Sequence, residues 1–133
     1  IYVCNIMSQP GETTDYKVSD HIKAIDASVG QRIFDAVLVQ KRSPSRAALS
    51  YYLQHNSHPV IIDRNNLLKL GCRVILANVM DEEPDTHFVR HSSQRLARVL
   101  IRWYSRVEGL AAPRETSTDQ PPKITKRSSK ENF

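Results

Sequence analysis

The chain has 133 residues, 40% of them hydrophobic and 25% charged, with a net charge of +5. That length holds one domain with a core and not two, and no apolar run approaches the ~20 residues that cross a bilayer. Its two cysteines, Cys4 and Cys72, sit in apolar runs with no CxxC and no Cys/His cluster, so they read as buried hydrophobes in a reducing cytoplasm rather than as metal ligands or a disulfide framework. From Arg114 onward five Lys and Arg stand against three Asp and Glu, so the tail holds +2 of the +5. The rest is mildly basic, which suits an anionic ligand and is no nucleic-acid footprint.

The opening IYVCNIM, residues 1–7, is β-branched and aromatic and reads as a strand. Residues 8–17 form a loop with a turn at Pro10-Gly11. Ser19 reads as the N-cap of a helix carrying Ile22 and Ile25, with Val18 and Val29, on one stripe; Asp20 lies in its first turn and Gly30 ends it. AVLVQ, residues 36–40, has the unbroken apolar character of a strand buried on both faces. A helix is expected over residues 44–55, with Ser43 as cap and Pro44 at the first position.

PVIID, residues 59–63, predicts the next strand, NNLLKL a short helix ending at Gly71, and CRVILANV, residues 72–79, another strand. DEEPDTH predicts a polar loop and FVRH a brief extended piece, followed by a long helix from about Ser92 to Gly109. From residue 111 the chain is polar and rich in Pro, Ser, Thr and Lys, which predicts a disordered tail over 111–133. Strands alternating with helices imply an α/β fold with a mostly parallel sheet covered on both sides. Ligands of such sheets sit at the carboxyl ends of the strands, which directs attention to loops 8–17, 41–43, 63–66, 80–87 and the segment near 90.

Several of these loops carry residues suited to a ligand. Asn5, Gln9, Glu12 and Thr13 crowd the turn at Gly11; amides read a base or sugar edge, and glycine lets backbone N–H groups approach closely. The same set also makes a well-bonded connection. Asp20 and His21 open a helix, as a capping pair, as acid and base, or, for Asp20, as support for a cation. Of the adjacent Tyr51 and Tyr52 at most one faces the core squarely, leaving the other to stack on a base. Arg90 and His91 precede the last helix, with Ser92 or Ser93 as its cap; an Arg beside a helix start suits a diphosphate. Arg95, Arg98, Arg102 and Arg106 fall on one face of that helix and read as a solvated face before a nucleic-acid or membrane surface. Asp26, His55, His58 and His87 read as surface or loop residues.

NIMSQPGET at 5–13 and YKVSDH at 16–21 resemble the signature of the gluconeogenesis factor family, also called the YvcK family, a branch of the superfamily that contains 2-phospho-L-lactate transferase. AVLVQ, Tyr52 followed by PVIID, and VRHS come in the family's order. The resemblance covers residues 1–108. It departs at Ser8 and Lys17, where Thr is usual, and at Ser92-Ser93, where Asp-Thr is common; losing that Asp removes a carboxylate beside Arg90.

The resemblance implies a Rossmann-like fold of which this chain is the C-terminal part, with residues 1–110 in a nucleotide-sugar-binding domain. It implies a regulatory protein binding a UDP-sugar of the UDP-N-acetylglucosamine type, cytoplasmic, influencing central carbon metabolism, cell-wall precursor supply and cell shape. Tyr52 and Arg90 correspond to ligand-contacting positions, with Asn5, Gln9, Gly11, Glu12 and Thr13 in the signature loop and Asp20, His21 and His91 beside it. It assigns no catalytic residue, metal or cofactor, expects neither nucleic acid nor a membrane segment in this chain, and leaves room for a homo-oligomer. The alternative it carries is a transferase moving a phospholactyl-type group onto a deazaflavin.

Overall fold

The computed structural model describes residues 1–111. Three parallel strands, β1 (Tyr2–Val3), β2 (Ala36–Gln40) and β3 (Arg73–Ala77), form a sheet in the order β1-β2-β3. Val3 pairs with Leu38, and Gln40 with Ala77. Helix α1 (Val18–Val29) connects β1 to β2, while α2 (Arg46–Gln54) and α3 (Arg64–Lys69) connect β2 to β3. An antiparallel hairpin of β4 (Met80–Glu82) and β5 (Val89–His91) follows, then α4 (Ser93–Ala111). The fold is thus α/β and Rossmann-like, with the parallel order expected from strands alternating with helices.

The core is built on β2. Val37 and Val39 are buried with Cys4, Val18, Ile22, Leu67 and Cys72, and Tyr2 and Phe34 pack against them. The four-residue spacing of Val18 and Ile22 aims both at the sheet. The stripe expected on α1 fades toward its end, where Val29 is 50% exposed. Gly30 then ends the helix in the left-handed conformation, φ 79°, which glycine adopts without a Cβ penalty.

Several boundaries differ from the sequence reading. β1 is shorter than residues 1–7: its ladder ends with the Cys4 N–H on Leu38 O (3.0 Å). PVIID joins no strand of the sheet. It runs extended between the loop after β1 and the start of α1, with Val60 N–H donating to Ile6 O and Val18 N–H to Ile61 O, both at 3.0 Å. Those partners draw its backbone away from β2 and leave β3 to take the third position.

Lys17, not Ser19, precedes α1. Ser19 lies inside the first turn, where its N–H (3.0 Å) and hydroxyl (2.5 Å) both donate to Asp63. Ser45, not Ser43, caps α2 by accepting the Ala48 N–H at 3.1 Å. The DEEPDTH loop is partly strand: β4 includes Asp81 and Glu82, and the turn closes with the Glu83 N–H on Phe88 O (3.0 Å).

α4 runs two residues past Gly109, and the polar tail expected beyond it lies outside the described residues. On its basic face Arg95 is engaged, donating to Met80 O at 2.7 Å and standing 3.6 Å from Asp81, while Arg98 is exposed. No described helix is long and apolar enough to cross a membrane.

Candidate functional site

The chain leaves β1 at Asn5, and a cleft of about 250 Å³ opens there. Asn5 and the stretch through Gln9 form one wall; Tyr52 and the strand Val89–His91 form the other. The cleft lies at the carboxyl end of a parallel strand, the end where open α/β sheets take their ligands. It brings together five of the residues expected at the site: Asn5, Gln9, Tyr52, Arg90 and His91.

Each wall is held by identifiable bonds. Ser8 is buried; its N–H donates to His58 O (2.8 Å), its hydroxyl accepts the His58 N–H (3.0 Å), and its carbonyl accepts the Ser57 hydroxyl (2.6 Å). The next residue, Gln9, is thereby presented from a fixed base. Thr13 and Gly11 lie outside the lining and shape the turn instead: Thr13 Oγ1 accepts the Gln9 N–H, and Thr14 Oγ1 the Gly11 N–H, each at 2.9 Å. Gly11 has φ 82°, a conformation that excludes most other residues from this turn. Glu12 is exposed, and its N–H donates to Gln9 O at 3.1 Å.

The opposite wall is tied to α2 by side chains two helical turns apart. Ser45, the cap, donates its hydroxyl to Glu82, which also accepts the Ser45 N–H at 3.0 Å; these bonds hold the Glu82 carboxyl below its ordinary value. Tyr52 closes the second tie by accepting the Val89 N–H at 2.9 Å. With its hydroxyl committed, Tyr52 offers the cleft its ring. Of the tyrosine pair, Tyr51 turns toward His55 and Phe88, with ring centroids 4.5 and 5.7 Å away.

Arg90 is not a free cation. Its guanidinium meets Glu83 at 2.5 Å, so the carboxylate that Ser92 fails to supply comes from the hairpin turn instead. His91 Nε2 is buried and has no partner among the described residues.

Asp20 and His21 do not line the cleft. The Asp20 carboxylate accepts the Lys17 N–H (3.0 Å) and approaches Lys23 at 3.4 Å, which is the work of a helix cap. His21 is 6% exposed and packs edge-on against Tyr16, centroids 5.3 Å apart. Burial lowers its pKa against the opposing pull of Asp20. Cys4 is no nucleophile: burial pushes its thiol up to about 12. Among the described residues, no three His, Cys, Asp or Glu side chains gather where they would hold a metal ion.

Sequence reasoning passed over Ser8 as a structural clamp and Glu83 as the partner of Arg90. The strand-to-loop position of Ser8 signals a pinned backbone, but the Arg90 pairing depends on a hairpin that was read as a loop.

Most of the described chain matches known proteins. The family model described as 2-phospho-L-lactate transferase CofD matches residues 1–80. A Nostoc gluconeogenesis factor relative is 58% identical over 105 residues, covering 78% of this chain and 23% of its own length. The Bacillus subtilis gluconeogenesis factor is 31% identical over 101 residues, covering 76% and 31%. A Bacillus halodurans crystal structure superposes with a TM-score of 0.69 at 33% identity, covering 75% of this chain and 32% of that one. The chain therefore spans about a quarter to a third of the length of these relatives, and it belongs to the gluconeogenesis factor branch of the 2-phospho-L-lactate transferase CofD family.

Proposed function

We propose that the cleft beside Tyr52 binds a UDP-sugar of the UDP-N-acetylglucosamine type, and that the protein regulates carbon metabolism rather than catalysing a step in it. The observation that carries this reading is the fixed Tyr52 ring facing Asn5 and Gln9 across one cleft. An aromatic face and two amides suit a base and a sugar. Arg90 and His91 line the same wall, and His91 Nε2 is left with bonding capacity for a ligand. Gly11, Glu12 and Thr13 support the reading indirectly, by fixing the turn that presents Gln9. Asp20 and His21 serve the fold in this reading.

Relatives are named gluconeogenesis factors; the role proposed for the whole protein is to sense a nucleotide sugar so that cell-wall precursor supply and cell shape follow carbon flow, in the cytoplasm. The test is calorimetric titration of UDP-N-acetylglucosamine into the full protein, beside Tyr52→Ala. Saturable binding that weakens in the variant, with no product formed, supports the reading; no saturable binding by the wild type overturns it.

A second reading is favoured by one finding, the transferase description of the matching family model. In that reading the protein moves a phospholactyl-type group onto a deazaflavin. Product formation from those two substrates, detected by mass, supports it over the first reading.

A further inference from the structure

Loop 41–43 after β2 carries Lys41 and Arg42, which take no part in the cleft beside Tyr52. Both are exposed, and among the described residues neither side chain forms an ion pair. Their backbone is nevertheless held firmly. The Lys41 N–H donates to Ala77 O at 2.9 Å, adding a rung beyond the end of β2. Gln40 donates through Nε2 to Arg42 O (3.0 Å) and to Asn78 Oδ1 (2.8 Å), and its Oε1 accepts the Val79 N–H (2.8 Å). One half-buried amide is spent fixing the loop, while the two cations on it have no counter-ion among the described residues.

A second cleft, about 120 Å³, opens at this loop; Gln40, Lys41, Arg42 and Ser43 line it, and no Asp or Glu does. It shares Asn5 and Ile6 with the cleft beside Tyr52. The two are adjoining parts of one groove across the carboxyl ends of β1 and β2. Along that groove charge is unevenly available. Arg90 is already paired with Glu83 at 2.5 Å, whereas Lys41 and Arg42 are unpaired among the described residues. A phosphate that entered the groove would displace a carboxylate to reach Arg90 and would displace none to reach Lys41 and Arg42. Lys supplies a compact charge and Arg a fork that matches phosphate oxygens.

We propose that Lys41 and Arg42 form an anion subsite that takes the phosphate groups of the ligand whose ring lies against Tyr52. This deepens the nucleotide-sugar reading and rests on it for the identity of the ligand. The sugar and base then occupy the Tyr52 side of Asn5, and the diphosphate crosses toward β2.

The test titrates the full protein with UDP-N-acetylglucosamine, uridine and inorganic pyrophosphate in low salt. It compares wild type, Lys41→Ala/Arg42→Ala, and a control of equal charge, Lys69→Ala/Arg98→Ala. Thermal midpoints establish that all three fold. The expected result is at least about tenfold weaker binding of the UDP-sugar and of pyrophosphate by the first variant, with uridine binding unchanged and the control like wild type. Equal binding of the UDP-sugar by the first variant and wild type overturns the subsite and leaves the Tyr52 reading standing. A loss shared by uridine or by the control overturns it too. Pyrophosphate binding that depends on Lys41 and Arg42, with no UDP-sugar binding by the wild type, retains the subsite and removes the nucleotide sugar. Absence of both overturns the subsite as well.

Discussion

The Tyr52 hydroxyl sits on the outer edge of β5, accepting the Val89 N–H at 2.9 Å and lying 3.4 Å from the Val89 carbonyl. Both polar groups of Val89 therefore point away from β4, and one phenol stands in for a third strand. A hairpin of three-residue strands is marginal by itself, so this contact, with the tie from Ser45 to Glu82, helps hold the far wall of the cleft.

Tyr52→Phe keeps the ring and removes both bonds. It is expected to destabilise the protein by about 1–2 kcal/mol, since Val89 keeps polar groups with no partner. Ser45→Ala removes the α2 cap and the hydroxyl bond to Glu82, leaving only the backbone N–H on that carboxylate, with a similar expected loss of about 1–2 kcal/mol. Because both ties hold one hairpin, the double variant should lose less than the two single losses combined, a coupling of at least about 0.5 kcal/mol. Urea unfolding of the four proteins measures it, and strict additivity would show that the ties act independently.

Glu83→Gln releases Arg90. The pair is largely exposed on the Arg90 side, at 67%, so stability should change by less than about 1 kcal/mol. Affinity for an anionic ligand should rise, because Arg90 no longer has a competing carboxylate. Thermal melting and pyrophosphate titration check the two halves; unchanged affinity would separate Arg90 from the ligand.

The Asp63 carboxyl is pushed up by burial, but hydrogen bonds from Ser19 and Asn66 outweigh that and hold it below its ordinary 3.8. A carboxyl depressed in the folded state contributes stability above its unfolded pKa and loses it as pH falls through the folded value. Asp63→Asn should therefore cost about 2 kcal/mol at neutral pH, and the gap from wild type should close below about pH 3.8. Denaturant midpoints across that range decide it.

His21 follows a separate window. Burial lowers its pKa from the ordinary 6.5, with Asp20 pulling the other way. The unfolded chain then takes up a proton before the folded one does, so the contribution is complete above 6.5 and falls away as pH drops below it. His21→Phe keeps a ring against Tyr2 and Tyr16 and should flatten stability between about pH 7 and 5. Identical pH profiles for the two proteins would remove His21 as the cause.

The sheet was legible because AVLVQ is an unbroken apolar run, which fits β2, buried except at Gln40, and because VILA within CRVILANV gives half-buried β3 beside it. PVIID carries the same composition and forms no strand, because Ile6 and Val18 take its backbone bonds; local pattern holds no record of such distant partners. The hairpin was missed for a related reason. Its acidic residues disfavour strand, and they are accommodated by Ser45 and Arg95, distant in sequence, and by Arg90 across the turn. Motif order points to Tyr52, Gln9 and Arg90, which line one cleft, whereas the pairing of Arg90 with Glu83 required the turn.

Helix α4 starts four residues after Val89, and two bonds of 2.7 Å, the Ser92 N–H on Val79 O and Arg95 on Met80 O, tie its first turn to the chain that follows β3. Its 19 residues make a rod roughly 28 Å long. Over that length it runs beside β3: Val99, Trp103 and Val107 border a cavity of about 320 Å³ whose other wall is Ile75, Leu76 and Ala77. The seam between α4 and the sheet is thus incompletely filled, and the side chains facing that gap forgo the dispersion contacts a filled seam would give them.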